Sequence, residues 1–365
     1  MVKYTYKLKK LILYIFPFST FVGVYIYSNT FTLIKNLEGI IMKKMYESTK
    51  FISAFISYIK VADVPVRRAI AEEPNTPVEV LEFLSKDEEP SVRLSVAKNP
   101  NTPVESLELL ATDESGRVRK NVAKNPNISD KISTILSADK NTSIREAIAY
   151  NSKTPGEVLK ELSMDEEYTV RYYVACNPNT PIEILAELYK DANHYVRIAV
   201  TRNQNTPIAI LTKLSKDIDI DVRAKVALNP NIPMEVLQEL SKDDDDSVRA
   251  KVALNPNTPI AILVKLSKDR QNNVRSAVAD IPNIPMEVLQ ELSKDIDNSV
   301  RATIALNPST PMEVLNELSK DSDNYVRKNV ALNPNISSTI LRKLSKDKNR
   351  DVRCAALKSV RRNEL

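Results

Sequence analysis

Apolar and polar residues recur along this chain with one long, fixed period. A clean unit occupies residues 247–269, SVRAKVALNPNTPIAILVKLSKD. Within it Val248, Val252 and Ala253 stand at i, i+4 and i+5, the spacing of one helical face. Asn255-Pro256 ends this first helix, because proline disfavours the α conformation in the residue before it. Thr258-Pro259 opens a second helix, with threonine placed as the N-cap and proline at the first helical position. Five copies read Thr-Pro-x-Glu, for example residues 76–79 and 310–313, which predicts a capping box with Glu reaching back to the N-cap backbone. The second helix turns Ile262, Leu263 and Leu266 inward and stops near Ser-Lys-Asp. An acidic linker such as residues 243–246 leads back into the next Val-Arg.

The unit repeats without insertion or deletion. Arg67, Arg93, Arg119, Arg145, Arg171, Arg197, Arg223, Arg249, Arg275, Arg301, Arg327 and Arg353 are each 26 residues from the next. Such a period predicts a solenoid of twelve two-helix units, each burying its apolar face against its neighbours. With helices packed about 8–10 Å apart, the rod would be on the order of 100 Å long. Most of the 21 prolines mark helix starts and stops, so they do not signal disorder.

The pattern V-R-x-x-V-A-x-N-P-N-T-P-x-E-x-L-x-x-L-S-K-D resembles the leucine-rich repeat variant family over residues 65–356. The resemblance implies an all-α, right-handed superhelix of alternating α and 3₁₀-like helices. The pattern is also similar to HEAT repeats of the armadillo-like class, which carry an Asp six residues before a Val-Arg. The family's founding type has a cysteine cluster that holds an iron–sulfur centre. Here only Cys176 and Cys354 are present, in different repeats, so no cofactor is expected.

Residues 1–41 differ from the rest. Lys3, Lys7, Lys9 and Lys10 precede residues 11–34, which contain no charge and are long enough as a helix to span a ~30 Å hydrocarbon core. One reading is a signal anchor with its N-terminus inside, which places the repeats outside the membrane. The other is translated upstream DNA. Glu38-Gly39-Ile40-Ile41 can be encoded as a ribosome-binding sequence before a start at Met42, and the protein is then cytoplasmic. The segment holds five of the 52 basic residues and one of the 47 acidic ones, leaving 47 against 46 for the remainder. The repeats are thus near neutral, and composition gives no reason to expect nucleic acid. Residues 42–64, with Met45, Ile52, Phe55, Ile56 and Ile59 at helical spacing, are read as an N-terminal cap, and residues 357–365 as a closing cap.

Three constellations stand out. An Asp precedes eleven of the twelve ladder arginines by six residues, including Asp87 before Arg93, Asp113 before Arg119, Asp243 before Arg249 and Asp295 before Arg301. One-to-one matching predicts a structural Asp–Arg hydrogen-bonded ladder, since a phosphate groove needs unpaired cations. An Asn ladder fills nine of eleven equivalent positions, among them Asn99, Asn125, Asn255 and Asn333, and reads as amides satisfying turn backbone. Third, the repeats of Arg119, Arg145, Arg171 and Arg197 drift from consensus and gather Tyr150, Tyr168, Tyr172, Tyr173, Tyr189, Tyr195, His194 and Arg202. The positions one and five residues after the ladder arginine vary most, and variable positions on one solenoid face mark a binding surface. Clustered tyrosines favour a protein partner, although some of the rings could instead fill packing gaps.

Enzyme signatures are missing. One histidine makes no His-rich metal site, two distant cysteines make no CxxC pair, and four glycines give no phosphate-cradling loop. The expectation is a non-enzymatic scaffold that binds protein along an extended curved surface. The alternatives are a HEAT-like nucleic-acid-processing enzyme and a membrane-tethered adhesion or scaffolding protein.

Overall fold

The computed structural model describes residues 49–363. These form 24 α-helices and no strand. A leading helix, Thr49–Ile59, is followed by twelve longer helices alternating with eleven short ones. The longer helices run from Val64–Glu72 to Arg350–Asn363, and the short ones from Val78–Leu84 to Ser338–Leu344. The hydrophobic segment 11–34 lies outside the described residues. Within them, no helix is long and apolar enough to cross a membrane.

Most longer helices turn two β-branched residues and a small +4 residue into the stack, as with Val248, Val252 and Ala253 in Asp246–Ala253. Alanine at that position lets the next helix approach closely. Each short helix buries at least three residues, such as Ile262, Leu263 and Leu266. Consecutive longer helices share broad contact, whereas consecutive short helices barely touch. The stack is therefore tight along the longer helices and splayed along the short ones, which places the longer helices on its inner curve.

The Asn-Pro stop behaves as the sequence predicts. Pro90–Lys98 ends where Asn99, before Pro100, turns extended at ψ 125°. The Thr-Pro start differs from expectation. Pro77 itself is the N-cap, and its carbonyl accepts from the N–H groups of Val80 and Leu81. The threonine hydroxyl is committed elsewhere, donating back to the preceding helix, as from Thr102 to the Val96 carbonyl at 2.6 Å. No capping box forms in Val78–Leu84 or Met312–Leu318, because the threonine that would accept is one residue too early and already engaged. Where serine replaces the proline, at Ser129 and Ser337, its oxygen does accept from Ile132 and Ile340 N–H. Nor are the alternate helices 3₁₀ throughout. They hydrogen-bond as α-helices, and i→i+3 bonds such as Lys86 N–H to Phe83 close their ends.

At the N-terminal end, Phe55 and Ile59 of Thr49–Ile59 are buried, and the helix packs on Val78–Leu84. At the other end residues 357–363 belong to the last longer helix, and the final two residues of the expected cap lie outside the described residues. The last longer helix simply runs on to Asn363. Leu357 stands where most other repeats bury an alanine, and it is 51% exposed because no helix among the described residues covers it.

Candidate partner-binding face

The ladder decides which charges are free. Arg249 donates from Nε to Asp269 Oδ2 at 2.7 Å and from Nη2 to Asp269 Oδ1 at 2.9 Å. Its Nη1 donates to the Asp243 and Asp244 carbonyls at 2.7 and 3.0 Å. The carboxylate partner is thus the Asp 20 residues later, and the Asp six residues earlier contributes its backbone oxygen. This corrects the expected pairing of Asp87 with Arg93, Asp113 with Arg119, Asp243 with Arg249 and Asp295 with Arg301. The ion pairs are Arg67 with Asp87, Arg93 with Asp113, Arg223 with Asp243 and Arg275 with Asp295, with Arg119 pairing to Asp139 and Arg301 to Asp321. Eleven such pairs tie successive repeats together. Among the described residues, Arg353 makes carbonyl contacts to Asp347 and Lys348 and no ion pair.

Eleven of these guanidiniums are neutralised by a carboxylate, so they form no strip for phosphates. Hydrogen bonding to Asp269 raises the Arg249 pKa further above its already high value. Burial works to raise the Asp269 carboxyl, but the Arg249 guanidinium and the Gln271 N–H overcome it and hold the group below the usual carboxylate range. Beside this ladder runs the asparagine one. Asn255 Nδ2 donates to the Ala227 and Asn229 carbonyls of the preceding repeat at 2.7 and 3.0 Å, and its Oδ1 accepts from Asn257 N–H.

The eight residues singled out from the drifting zone separate into three groups. On adjacent longer helices, Tyr150 meets Tyr173 edge-on with centroids 5.7 Å apart, and Tyr173 meets Tyr172 at 5.3 Å. Tyr150 is exposed, while Tyr172 and Tyr173 are half-buried against the core. Arg202, exposed one helix further on, lies near enough for its charge to act on Tyr172 and Cys176. The second group sits at helix starts, where Tyr168 stacks on Tyr195 at 6.3 Å and His194 tilts against Tyr195 at 4.1 Å. Tyr168 and Tyr172 lie one turn apart on one helix, so both groups belong to the inner face.

Tyr189 does not belong there. It caps the short helix Ile182–Leu188, where other repeats have a serine, and its ring lies under Lys190 and Lys213. On the inner face, Cys176 is no activated nucleophile. Burial pushes its thiol up, and the hydrogen bond with Cys176 raises the Tyr172 hydroxyl in turn.

Two features of the same face were not singled out from the sequence. Leu254, Leu306 and Leu332 are exposed at the position five residues after the ladder arginine, equivalent to Tyr150 and Arg202. Next to Leu254 the face opens into a shallow depression of about 440 Å³, lined by Ala250, Lys251, Ser276, Ala277 and Asp280 among others. The signal was available: a leucine just before Asn-Pro, outside the buried valine stripe, and small residues at the first position after the arginine.

The profile of the leucine rich repeat variant family matches residues 90–115, one full period of the ladder. That one repeat is similar to the leucine rich repeat variant model, and the repeats on either side keep its 26-residue spacing. A solved structure described as a leucine-rich repeat variant with a novel repetitive protein structural motif is 26% identical. It covers 61% of this chain and 88% of its own, with a TM-score of 0.47. The crystal structure of an engineered protein matches 85% of this chain and 98% of its own at 18% identity and a TM-score of 0.25. No curated protein sequence matches the chain. In this array the recurring residues face the rungs between repeats, and the variable ones face outward from the longer helices.

Proposed function

We propose that the chain is a non-enzymatic scaffold that binds a protein partner along the face of its longer helices. The observation that carries this reading is the division of labour within each repeat. Ladder arginines, aspartates and asparagines are consumed by contacts between repeats, while neighbouring positions on the same helices stay exposed and change from repeat to repeat. Exposed Tyr150, Tyr168 and Tyr195 are of the type that anchors protein interfaces. The raised Cys176 thiol speaks against thiol catalysis on this face. A nucleic-acid groove is disfavoured because the line from Lys98 and Lys124 is broken by Glu146 and the tyrosines and gives way to leucines.

The test is site-specific photo-crosslinking in the cells that make the protein. A photoreactive residue at position 150 or 254 should give covalent adducts with protein. One at position 213, on the splayed side, should give none. Adducts from 213 alone would overturn the reading.

A further inference from the structure

Taking that reading as its basis, the structure assigns a chemistry to the partner: an extended peptide that is acidic over one stretch and aliphatic over the next. One row of the inner face dictates it. The positions five residues after the ladder arginine read Lys98, Lys124, Tyr150, Cys176, Arg202, Leu228 and Leu254 in successive repeats. Lys98, Lys124 and Arg202 are exposed and make no ion pair among the described residues, unlike the carboxylate-paired ladder arginines one turn away. Desolvated or rim carboxylates on a partner would complement them. Between them the rings of Tyr150, Tyr172 and Tyr173 form a sequence-tolerant platform. Beyond Arg202 the row is apolar at Leu228 and Leu254 before Asp280, and the depression beside Leu254, floored by Ala250 and Ala277, offers room for one aliphatic side chain.

Spacing sets the register. Adjacent helices lie about 8–10 Å apart and an extended peptide advances about 3.3 Å per residue, so one row position meets roughly every third partner residue. A carboxylate opposite Lys124 and another opposite Arg202, three repeats away, are therefore about eight or nine residues apart. The aliphatic residue over Leu254 follows about five or six residues later. A second row of exposed apolar residues begins the short helices, Met234 and Ile260 among them. The inner row is preferred because the unpaired cations and the depression both fall on it.

The experiment is selection of a displayed library of random 16-residue peptides on the full chain. Enriched peptides are then measured by fluorescence anisotropy on the unaltered protein, on Lys124→Glu/Arg202→Glu and on Leu254→Asp, with thermal melting of each. Enriched sequences should carry two acidic residues at the stated separation followed by an aliphatic one. Each variant should weaken them about tenfold without lowering its melting temperature. Peptides that bind, respond to Tyr150→Ala and ignore the charge reversal would overturn this inference and leave the face reading standing. Peptides that ignore all three changes would overturn both. Preferential, salt-sensitive binding of a 16-nucleotide oligouridylate would replace the peptide by a nucleic acid and overturn the inference.

Discussion

The drifting repeats of Arg145, Arg171 and Arg197 and the regular repeats of Arg223, Arg249 and Arg275 share one skeleton and differ on one face. Arg171 pairs with Asp191 at 2.6 Å and Arg249 with Asp269 at 2.7 Å. Asn177 and Asn255 each reach two carbonyls of the preceding repeat. On the exposed side, tyrosines fill the surface of the first zone, while Ala250, Ser276 and Ala277 leave a depression in the second. The contrast teaches that the rungs and the surface of this solenoid are separable. Bulk can be traded on the inner face with no change in how one repeat is bolted to the next.

Acid should strike both zones together. The carboxyls of Asp139 and Asp165 in the first zone, and of Asp269, Asp295 and Asp321 in the second, are held low by their arginines against an opposing desolvation effect. Their stabilisation is fully present above the unfolded value of about 3.9 and is lost as pH falls through the lower folded values. Circular dichroism melts should therefore show little dependence on these groups near neutrality and a collapse of both zones below about pH 4. Survival of one zone at pH 2 would break the equivalence.

Next in size, Arg171→Ala and Arg249→Ala should each cost about 3 kcal/mol, because each strands an inward carboxylate. Urea denaturation measures both, and a twofold disparity would show that the zones are held differently. Smaller and opposite in sign is Ile281→Asn. Ile281 interrupts the asparagine ladder, so Asn283 N–H has no amide oxygen two residues back. It donates instead to Ser309 Oγ, and Asn283 adopts φ 61°, the only such non-glycine residue among those described. Restoring asparagine should stabilise the protein by about 1 kcal/mol. It should also return residue 283 to negative φ, visible in its NMR shifts. The least effect belongs to Tyr150→Ser, since Tyr150 is 63% exposed. Its stability should stay within about 0.5 kcal/mol of the unaltered protein.

Helix order and buried stripes were legible because every unit states them again. The rung pairing was not. Offsets of six residues back and 20 residues forward differ by one period of 26, so within the array they name the same set of aspartates. Only the first repeat discriminates: Arg67 has Val61 behind it and Asp87 ahead. Threonine's role was hidden for a similar reason, since Thr-Pro satisfies a cap rule locally while the Val252 carbonyl, six residues back, claims the Thr258 hydroxyl. Tyr189 could have been separated from the other tyrosines by register, because Ser163 and Ser215 stand at the same place in their repeats. The leucine row escaped notice because a leucine near a helix end resembles core until neighbouring helices show which side is covered.

The separation of rung from surface is tested most directly within the helix His194–Arg202. Arg197 lies in a rung, 2.7 Å from Asp217, and Arg202 lies exposed on the face without an ion pair among the described residues. Urea denaturation of Arg197→Ala and Arg202→Ala, measured side by side, should give a loss of about 3 kcal/mol for the first and under about 0.5 kcal/mol for the second. Equal losses, or a larger one for Arg202→Ala, would contradict the account.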